Sequence, residues 1–569
     1  MKQELQQAVQ ACAQQLFKVD APVELARTEE KFGDYATNVA LQLAKQLGRP
    51  PREIAEELAA ELRTALADKV AEVSVAGPGF INLTLSDGAL QSMQAAQPAQ
   101  IWAGKTIITE YSDPNPFKVL HVGHLYTSIN GDAISNLLEA AGAQVHRTNF
   151  GGDVGMHVGK TMWAIIKDLG GEHPEKLQEI PAESRSEWMA QNYVRGTAAY
   201  EESEADKAEI VALNKHVYQL HDKDDHDSPF AQIYWTCRQW SYDYFDAFYA
   251  RIGSHFEKYY PESQTAPVGL KTVQEQLEKG VFSRSDGAVV FVGEPYGLHT
   301  RVFINSEGLP TYEAKDVGLS IKKWQDYHFD ESVIITGNDI TEYMKVVLKA
   351  IEQFEPDLAR RTVHLTHGNV KLAGGVKMSS RKGNFLKAVD ALDMVAEASQ
   401  KIAGQADEVT VLGAVKYTLL KSRMGADIIF SPEDSVAIEG NSGPYLQYAH
   451  ARARSILAKA PATSELAASV AMPEAGEATA AVAYEPGERS LLRKISEYSE
   501  VVDKAVAELM PHYICTYLYE LAQAFNSFYE HNRVIDDPRQ AQRLALVGQY
   551  ADTLKAGLEL LGITAPERM

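Results

Sequence analysis

Apolar residues in the first hundred positions recur at helical intervals and then give way to a strand pair. Leu5, Val9, Cys12 and Leu16 fall at steps of three and four, which predicts an amphipathic helix over 1–17. A second helix is expected over Tyr35–Leu47 and a third over Ile54–Leu66, with Pro50-Pro51 between them. Val73–Val75 and Phe80–Leu85 flank Gly77-Pro78-Gly79 and read as two strands around a turn. The pattern predicts a small α+β domain over 1–104, with the Ala/Gln/Pro run at 95–100 as its linker.

From Lys105 the pattern becomes strand, helix, strand. Ile107-Ile108 with Tyr111 reads as a short buried strand, and Pro114 and Pro116 mark a loop. A helix is expected from His121 to Ala141, and Val145–Phe150 is strand-like again. This is the repeating unit of a parallel sheet. Ser332–Ile335 and Thr362–Leu365 read as two more strands around a helix over Thr341–Phe354. The charged, aromatic stretch at about 165–290, including Tyr234 to Tyr249, reads as a helical insertion into an α/β domain spanning 105–404. The region 405–569 is helical throughout. One apolar stripe runs through Leu491, Leu492, Ile495, Tyr498, Val501 and Val502, and another through Tyr513, Tyr517, Leu521, Phe525 and Phe528. An Ala/Glu/Pro stretch at about 461–488 is expected to be an exposed loop.

Composition narrows the class without adding to this outline. With 45% apolar and 23% charged residues in 569, the chain is an ordinary globular protein of several domains. No apolar run approaches the ~18–20 residues of a membrane span, and no secretory leader is visible, so no membrane partner is expected. Cys12, Cys237 and Cys515 are far apart and form neither a disulfide framework nor a zinc pattern, which places the chain in a reducing cytoplasm. The net charge of −22 argues against a uniformly basic nucleic-acid binder but leaves room for local basic patches.

Two common nucleotide motifs are absent. Gly155 to Thr161 resembles a phosphate loop, but Val154 stands where its first glycine is required. No G-x-G-x-x-G follows the first strand. Instead Pro114–His124 (PNPFKVLHVGH) places His121 and His124 at the opening of a helix, where free N–H groups attract phosphate and imidazoles can donate to it. Gly123 would let a flat base approach the backbone. Two surface histidines would give the same string. A second segment, Lys377-Met-Ser-Ser-Arg-Lys-Gly383, follows a strand and Gly374-Gly375. Its three cations suit a leaving pyrophosphate or, equally, a solvated basic loop.

The two motifs together, with an insertion between them, have the layout of class I aminoacyl-tRNA synthetases. Over nearly its whole length the chain resembles the arginyl-tRNA synthetase family. Lys31–Asn38 and Gly77–Asn82 resemble its N-terminal appended domain, Glu110–Asn115 its arginine pocket, and Asn441–Arg452 and Leu561–Met569 its anticodon-binding domain. The resemblance implies a Rossmann-type parallel-sheet catalytic domain, a small α+β N-terminal domain and an all-α C-terminal domain. It implies ATP-dependent ligation of L-arginine to tRNA(Arg) through an arginyl-adenylate. ATP is then a substrate carrying Mg²⁺, no protein-bound metal is expected, and a monomer is the default. Glu110, Asn115, Tyr312 and Asp316 are implied to read arginine, and paired carboxylates suit a planar guanidinium. Lys118, His121, His124 and Lys377 are implied as catalytic, with Gly123, Arg381 and Lys382 also on ATP. Tyr445, Tyr448, Arg452 and Arg454 are candidates for tRNA, with the tyrosines equally placed as core residues.

The chain departs from that family in two places. Ser380 replaces the second lysine of the usual KMSKS string, and Lys118, three residues before His121, fits a compensating role. Ile340 and Tyr343 stand near positions where many members carry Gln and His. Asp153 matches a Gly-Asp element without an assigned role. Two rival readings are a synthetase for another amino acid and a catalytically inactive, tRNA-binding paralogue.

Overall fold

The structure is a computed structural model that describes residues 1–93, 98–373, 386–404, 406–460 and 483–569. Lys377, Arg381 and Lys382 lie outside the described residues, as does most of the 461–488 stretch.

The N-terminal region begins with α1 (Lys2–Phe17), which buries Leu5, Val9 and Cys12. Strands β1 (Ala26–Arg27) and β2 (Tyr35–Thr37) precede α2 (Val39–Leu47) and α3 (Pro51–Ala65), and the hairpin β3 (Val70–Ala76) and β4 (Phe80–Leu85) follows. The strands form an antiparallel sheet in the order β1-β2-β4-β3. The helix expected from Tyr35 therefore starts four residues late. Tyr35 and Thr37 are buried on either side of Ala36, a period of two, and Tyr35 pairs with Leu83. A short helix, α4 (Asp87–Met93), leads out of this region.

Next come β5 (Thr106–Glu110), α5 (Val122–Ala140), β6 (Gln144–Gly151) and α6 (Met156–Leu169). Helices α7 (Arg185–Glu202), α8 (Glu204–Asp222) and α9 (Pro229–Ile252) form a satellite around Met162, Leu177, Met189, Val217 and Phe230. The chain then returns to the sheet within the stretch expected as an insertion: β7 (Lys258–Pro261) pairs in parallel with β6. Four residues, Lys-Tyr-Tyr-Pro, are too few to carry a legible period. After α10 (Glu262–Glu278) a small antiparallel sheet forms from β8 (Ser283–Ser285), β9 (Ala288–Phe291) and β10 (Arg301–Ile304). Then follow α11 (Tyr312–Tyr327), β11 (Glu331–Gly337), α12 (Thr341–Glu352), α13 (Pro356–Arg360) and β12 (Thr362–His367).

The central sheet is wholly parallel, in the order β12-β11-β5-β6-β7. Strand order reverses between β5 and β11. In open α/β sheets the crevice beyond the strand ends at such a reversal is where ligands bind. Glu110 ends β5 there, opposite Ile334 of β11.

β13 (Val370–Leu372) pairs in parallel with β14 (Ile428–Phe430), and α14 (Ala388–Ala403) and α15 (Glu408–Leu420) lie between them in sequence. The remaining chain is helical: α16 (Pro432–Ser435), α17 (Gly443–Lys459), α18 (Pro486–Ile495), α19 (Tyr498–Glu508), α20 (His512–His531) and α21 (Gln540–Leu560). These helices share a buried core with α1–α3 and α5. Buried ion pairs tie the two ends of the chain together. Asp34 is fully buried and accepts from Arg489 at 2.8 Å and Arg493 at 3.0 Å, and Arg27 meets Glu500 at 2.9 Å. No helix among the described residues is long and apolar enough to cross a membrane.

Candidate active site

The loop leaving β5 is held in an uncommon backbone conformation. Ser112, Asp113 and Phe117 have positive φ of 73°, 50° and 67°, and none is glycine. Such conformations cost on the order of 1–3 kcal/mol each and persist where surrounding contacts fix them. Here Ser112 Oγ and Tyr249 hydroxyl are 2.8 Å apart, and Asp113 Oδ1 accepts from the Phe150 amide at 2.8 Å. Asn115 Oδ1 accepts from the Gly152 amide at 2.8 Å, and the Phe117 amide donates to Ser241 at 2.9 Å.

Three carboxylates converge at this strand end. Glu110 is buried and accepts from the buried Lys323 of α11 at 2.5 Å, and Lys323 also donates to Ser332 at 3.0 Å. Burial first, then the negative charge of Glu110, pushes Asp113 well above the usual carboxylate range. Asp316 accepts from the Tyr343 hydroxyl and is pushed up to about 7, chiefly by burial, with Glu110 and Glu262 adding repulsion. The Lys323 ammonium is bonded to Glu110 and only weakly offsets the shifts of Asp113 and Asp316. A buried site with excess negative charge is completed by a cationic ligand. Beside it lies a second buried pair, Lys315 to Glu262 at 2.5 Å. Tyr312, the first residue of α11, stands exposed at the mouth with Lys315 5.0 Å from its ring centre. Tyr312 and Asp316 therefore share a helix face, but Tyr312 lines the rim and Asp316 the interior.

The opening of α5 forms the other wall. His121 is the N-cap, and its Nδ1 accepts from the Gly123 amide at 3.1 Å. His124 Nδ1 accepts from the His121 amide at 3.1 Å. Both Nδ1 atoms act as acceptors, so each ring carries its proton on Nε2 and can donate from there. Burial, with Lys118 nearby, lowers His121 to about 4, and burial and His121 hold His124 well below its usual value. Both rings are neutral donors at pH 7. The His121 ring covers Gly123, where any added Cβ would lie 2.8 Å from it. Lys118 is half-buried, its ammonium 4.6 Å from the centre of the Tyr193 ring.

Leu386 and Ala388, which follow the second motif in sequence, are bonded to the same wall. The Val122 amide donates to Leu386 carbonyl at 2.9 Å, and the Ala388 amide to Leu120 carbonyl at 3.0 Å. The chain leaving residues 374–385 is thus fastened to the start of α5. Asp153 is fully buried and spends its oxygens on Arg238 and Ser263, which ties α9 and α10 to the end of β6.

The four α17 candidates divide. Tyr448 is 48% exposed. Tyr445 is half-buried, its hydroxyl accepting from Asn526 at 2.8 Å. Arg452 lies 4.7 Å from the centre of the Tyr529 ring. Arg454 is paired with Asp552 at 2.8 Å and Glu567 at 3.4 Å.

Sequence reasoning missed Asp113, Lys323 and the Glu262–Lys315 pair. Asp113 lies midway between Glu110 and Asn115, in the segment already under suspicion. Lys323 is seven residues beyond Asp316, which is two turns along one helix face. Tyr343, noted as a departure from the family, supplies the hydrogen bond to Asp316.

Comparison with known proteins identifies the family. The family model described as "tRNA synthetases class I (R), catalytic domain" matches residues 87–431. "Arginyl tRNA synthetase N terminal domain" matches 1–85, and "DALR anticodon binding domain" matches 446–569. An arginine–tRNA ligase of Porphyromonas gingivalis is 29% identical, with 100% of this chain and 99% of that one covered. One of Phocaeicola vulgatus is 28% identical over 100% of both. The solved arginyl-tRNA synthetase of Thermus thermophilus superposes over 100% of both chains with TM-score 0.77 at 26% identity. That of Plasmodium falciparum gives 0.80 at 20% identity, covering 100% of this chain and 99% of the other, a likeness of fold.

Proposed function

The chain belongs to the class I tRNA synthetases of the arginine type, and on that premise we propose how its residues divide the work of joining arginine to tRNA. Glu110, Asp113 and Asp316 receive the two cationic groups of arginine, the guanidinium and the α-ammonium. The observation that carries this is the gathering of three carboxylates at the sheet's switch point, where Glu110 is bonded to Lys323 while Asp113 and Asp316 are bonded to the Phe150 amide and the Tyr343 hydroxyl. Asn115 holds the loop in register, and Tyr312 closes the mouth.

ATP lies across the opening of α5, where the space beside Gly123 is taken by the His121 ring rather than left open to the base. In the first step a carboxylate oxygen of arginine attacks the α-phosphorus, and pyrophosphate leaves with its Mg²⁺. His121 and His124 donate from Nε2 to phosphate oxygens as charge moves outward. Lys118, Lys377 and the cations Arg381 and Lys382 neutralise the leaving group. Because both imidazoles are neutral, they add directed hydrogen bonds and the lysines add charge. In the second step a terminal ribose hydroxyl of the tRNA attacks the adenylate carbonyl and AMP leaves. Positioning and charge stabilisation carry most of both steps. Arginine's permanent, planar charge makes a separate editing site unnecessary.

Tyr448, with Tyr445 beside it, offers aromatic surface for an anticodon base, and Arg452 shares that face of α17, whereas Arg454 turns away to Asp552 and Glu567. The N-terminal region grips a different part of the tRNA. The chain acts as a monomer in the cytoplasm, in keeping with three buried free thiols. Pyrophosphate exchange with each of the twenty amino acids, with and without tRNA, tests the reading. Exchange with arginine supports it; exchange with another amino acid or with none refutes it.

A further inference from the structure

Behind the arginine pocket lies a cavity of about 340 Å³, at the junction of the sheet domain with the C-terminal helices. Asp132 of α5, Arg147 of β6, Gly253, Lys416 of α15 and Gly562 line it. Asp132 is buried and accepts from the Tyr111 hydroxyl at 2.7 Å and from Ser254. Hydroxyl donors offset only part of what burying a carboxylate costs, so a cation is required nearby. Arg147 is already engaged by Glu139 and Asn136. Lys416 is 7% exposed and gives its ammonium to the Gly562 carbonyl at 2.6 Å rather than to a carboxylate. The ammonium lies against Gly253 and Gly562, where an added Cβ would stand 3.7 and 3.3 Å from it.

Tyr111 is where this network touches the chemistry. It follows Glu110 directly and precedes the left-handed residues Ser112 and Asp113. Its ring lies on Gly131, where any Cβ would fall 2.1 Å from the ring, and 4.8 Å from the Phe256 ring centre. Its carbonyl accepts from Asn149 at 3.2 Å. Tyr111 thus sets the point from which the chain leaves β5 into the loop that carries Asp113 and Asn115.

We propose that Asp132 and Lys416 form a buried charge couple that positions Tyr111, and through it the arginine-reading loop. Neither touches substrate; both are positioning residues. The couple makes the C-terminal helical region a structural partner of the arginine pocket, since Lys416, within the stretch matched as catalytic domain, is bonded to the Gly562 carbonyl. The same region continues the tie to α17: Gln447 donates to the Thr564 carbonyl at 2.9 Å, and a His450 ring nitrogen meets the Pro566 carbonyl at 2.9 Å. Burial raises the Asp132 carboxyl and lowers the Lys416 ammonium, and each group's charge opposes the other's shift.

This inference rests on the arginine site proposed above, and the test separates the two. Full-length Lys416→Met, Lys416→Arg, Tyr111→Phe, the Lys416→Met/Tyr111→Phe double variant and Glu110→Gln are compared by pyrophosphate exchange with tRNA present. Lys416→Met should raise the arginine KM about tenfold while leaving the ATP KM and kcat within about twofold. Lys416→Arg should recover most of the loss. Tyr111→Phe keeps the ring packing and should reproduce the shift by itself, and the double variant should be no worse than the poorer single one. An arginine KM unchanged in Tyr111→Phe, ATP and arginine KM rising together, or additive losses would overturn the proposal, and Tyr111→Phe decides it if Lys416→Met does not fold. If Glu110→Gln shifts the arginine KM and Tyr111→Phe does not, only the positioning role fails. If Glu110→Gln shifts nothing, the site reading fails and this proposal with it.

Discussion

Lys323 of α11 and Glu110 at the end of β5 form a buried ion pair of 2.5 Å, with both residues almost wholly removed from solvent. Two elements more than two hundred residues apart in sequence thus meet at the base of the arginine pocket. Breaking such a pair from one side leaves an unmatched buried charge and costs roughly 3–5 kcal/mol. Glu110→Gln should therefore lower the melting temperature and raise the arginine KM, with the ATP KM unchanged. Adding Lys323→Met should restore much of the stability without restoring arginine affinity. Thermal unfolding and exchange kinetics on the same samples check both halves, and recovery of arginine binding in the double variant would show Glu110 to be structural alone.

Arginine binding should depend on pH through Asp316. Its carboxyl is held up to about 7, and Asp113 is shifted in the same direction. A bound guanidinium favours the ionised form, so below pH 7 arginine has to displace a proton. Affinity should rise from pH 6 to pH 8. The free protein binds the Asp316 proton more tightly than the unfolded chain does, so this group's contribution to stability falls as pH rises between about 4 and 7. The melting-temperature gain from saturating arginine should be larger at pH 8 than at pH 6, and Asp316→Asn should flatten that difference. An equal gain at both pH values in the wild type would contradict the assignment.

His121 should respond differently to the two amide replacements. His121→Asn can keep an acceptor near Nδ1 for the helix cap but has no donor near Nε2. It should retain stability to within ~1 kcal/mol, a typical capping contribution, and lose activation rate. His121→Gln should do the reverse. Rates from single-turnover adenylate formation, set beside melting curves, separate the roles, and a matching rate loss in both variants would leave the neutral-donor account without support.

Lys118→Ala should slow activation by about 10²–10³-fold, the scale of losing one transition-state contact, with little change in arginine affinity. If Lys118 substitutes for the lysine missing at Ser380, then Ser380→Lys in the Lys118→Ala background should return part of the rate. No return would dismiss the compensation.

On α17 the exposed ring and the paired arginine should part company. Tyr448→Ala should weaken tRNA binding by up to ~1–3 kcal/mol, as for a lost stacking platform, with no change in melting temperature. Arg454→Ala should lower the melting temperature, since it breaks contacts to Asp552 and Glu567. A filter-binding titration with the tRNA and a melting curve for each variant are enough to tell. Deleting residues 1–100 is a less clean experiment, because it also removes Asp34 from the nearly buried Arg493.

What is legible in the sequence follows range. The opening of α5 is local: two histidines, a glycine and the preceding prolines specify a cap with their own side chains, and the string points to phosphate once it is read together with the second motif. Glu110 is legible because a strand end in a βαβ unit is itself a local pattern. Lys323 is not, since Lys322-Lys323 looks like any solvated pair until α11 is laid against β5. Strand β7 is missed because four residues carry no period, although they add the outer strand of the sheet. Arg454 and Tyr445 read as available to RNA because a sequence shows a helix face but not the helix packed on it. Asp113 lay in plain view and was passed over, because a carboxylate in a proline-rich turn is ordinary until its backbone is seen to be left-handed.

The most direct test of the account is a calorimetric titration of the protein at pH 7.5 with arginine and with citrulline, which replaces one guanidinium nitrogen by oxygen and so removes the charge while keeping the shape. Three neighbouring carboxyl groups, of which Glu110 is the one bonded to Lys323, favour a cation, so arginine should bind and citrulline should bind at least ~10²-fold more weakly, the loss expected when a buried charge partner is removed. Comparable binding of the two would contradict the pocket's charge logic and, with it, the identification of Glu110, Asp113 and Asp316 as the residues that read arginine.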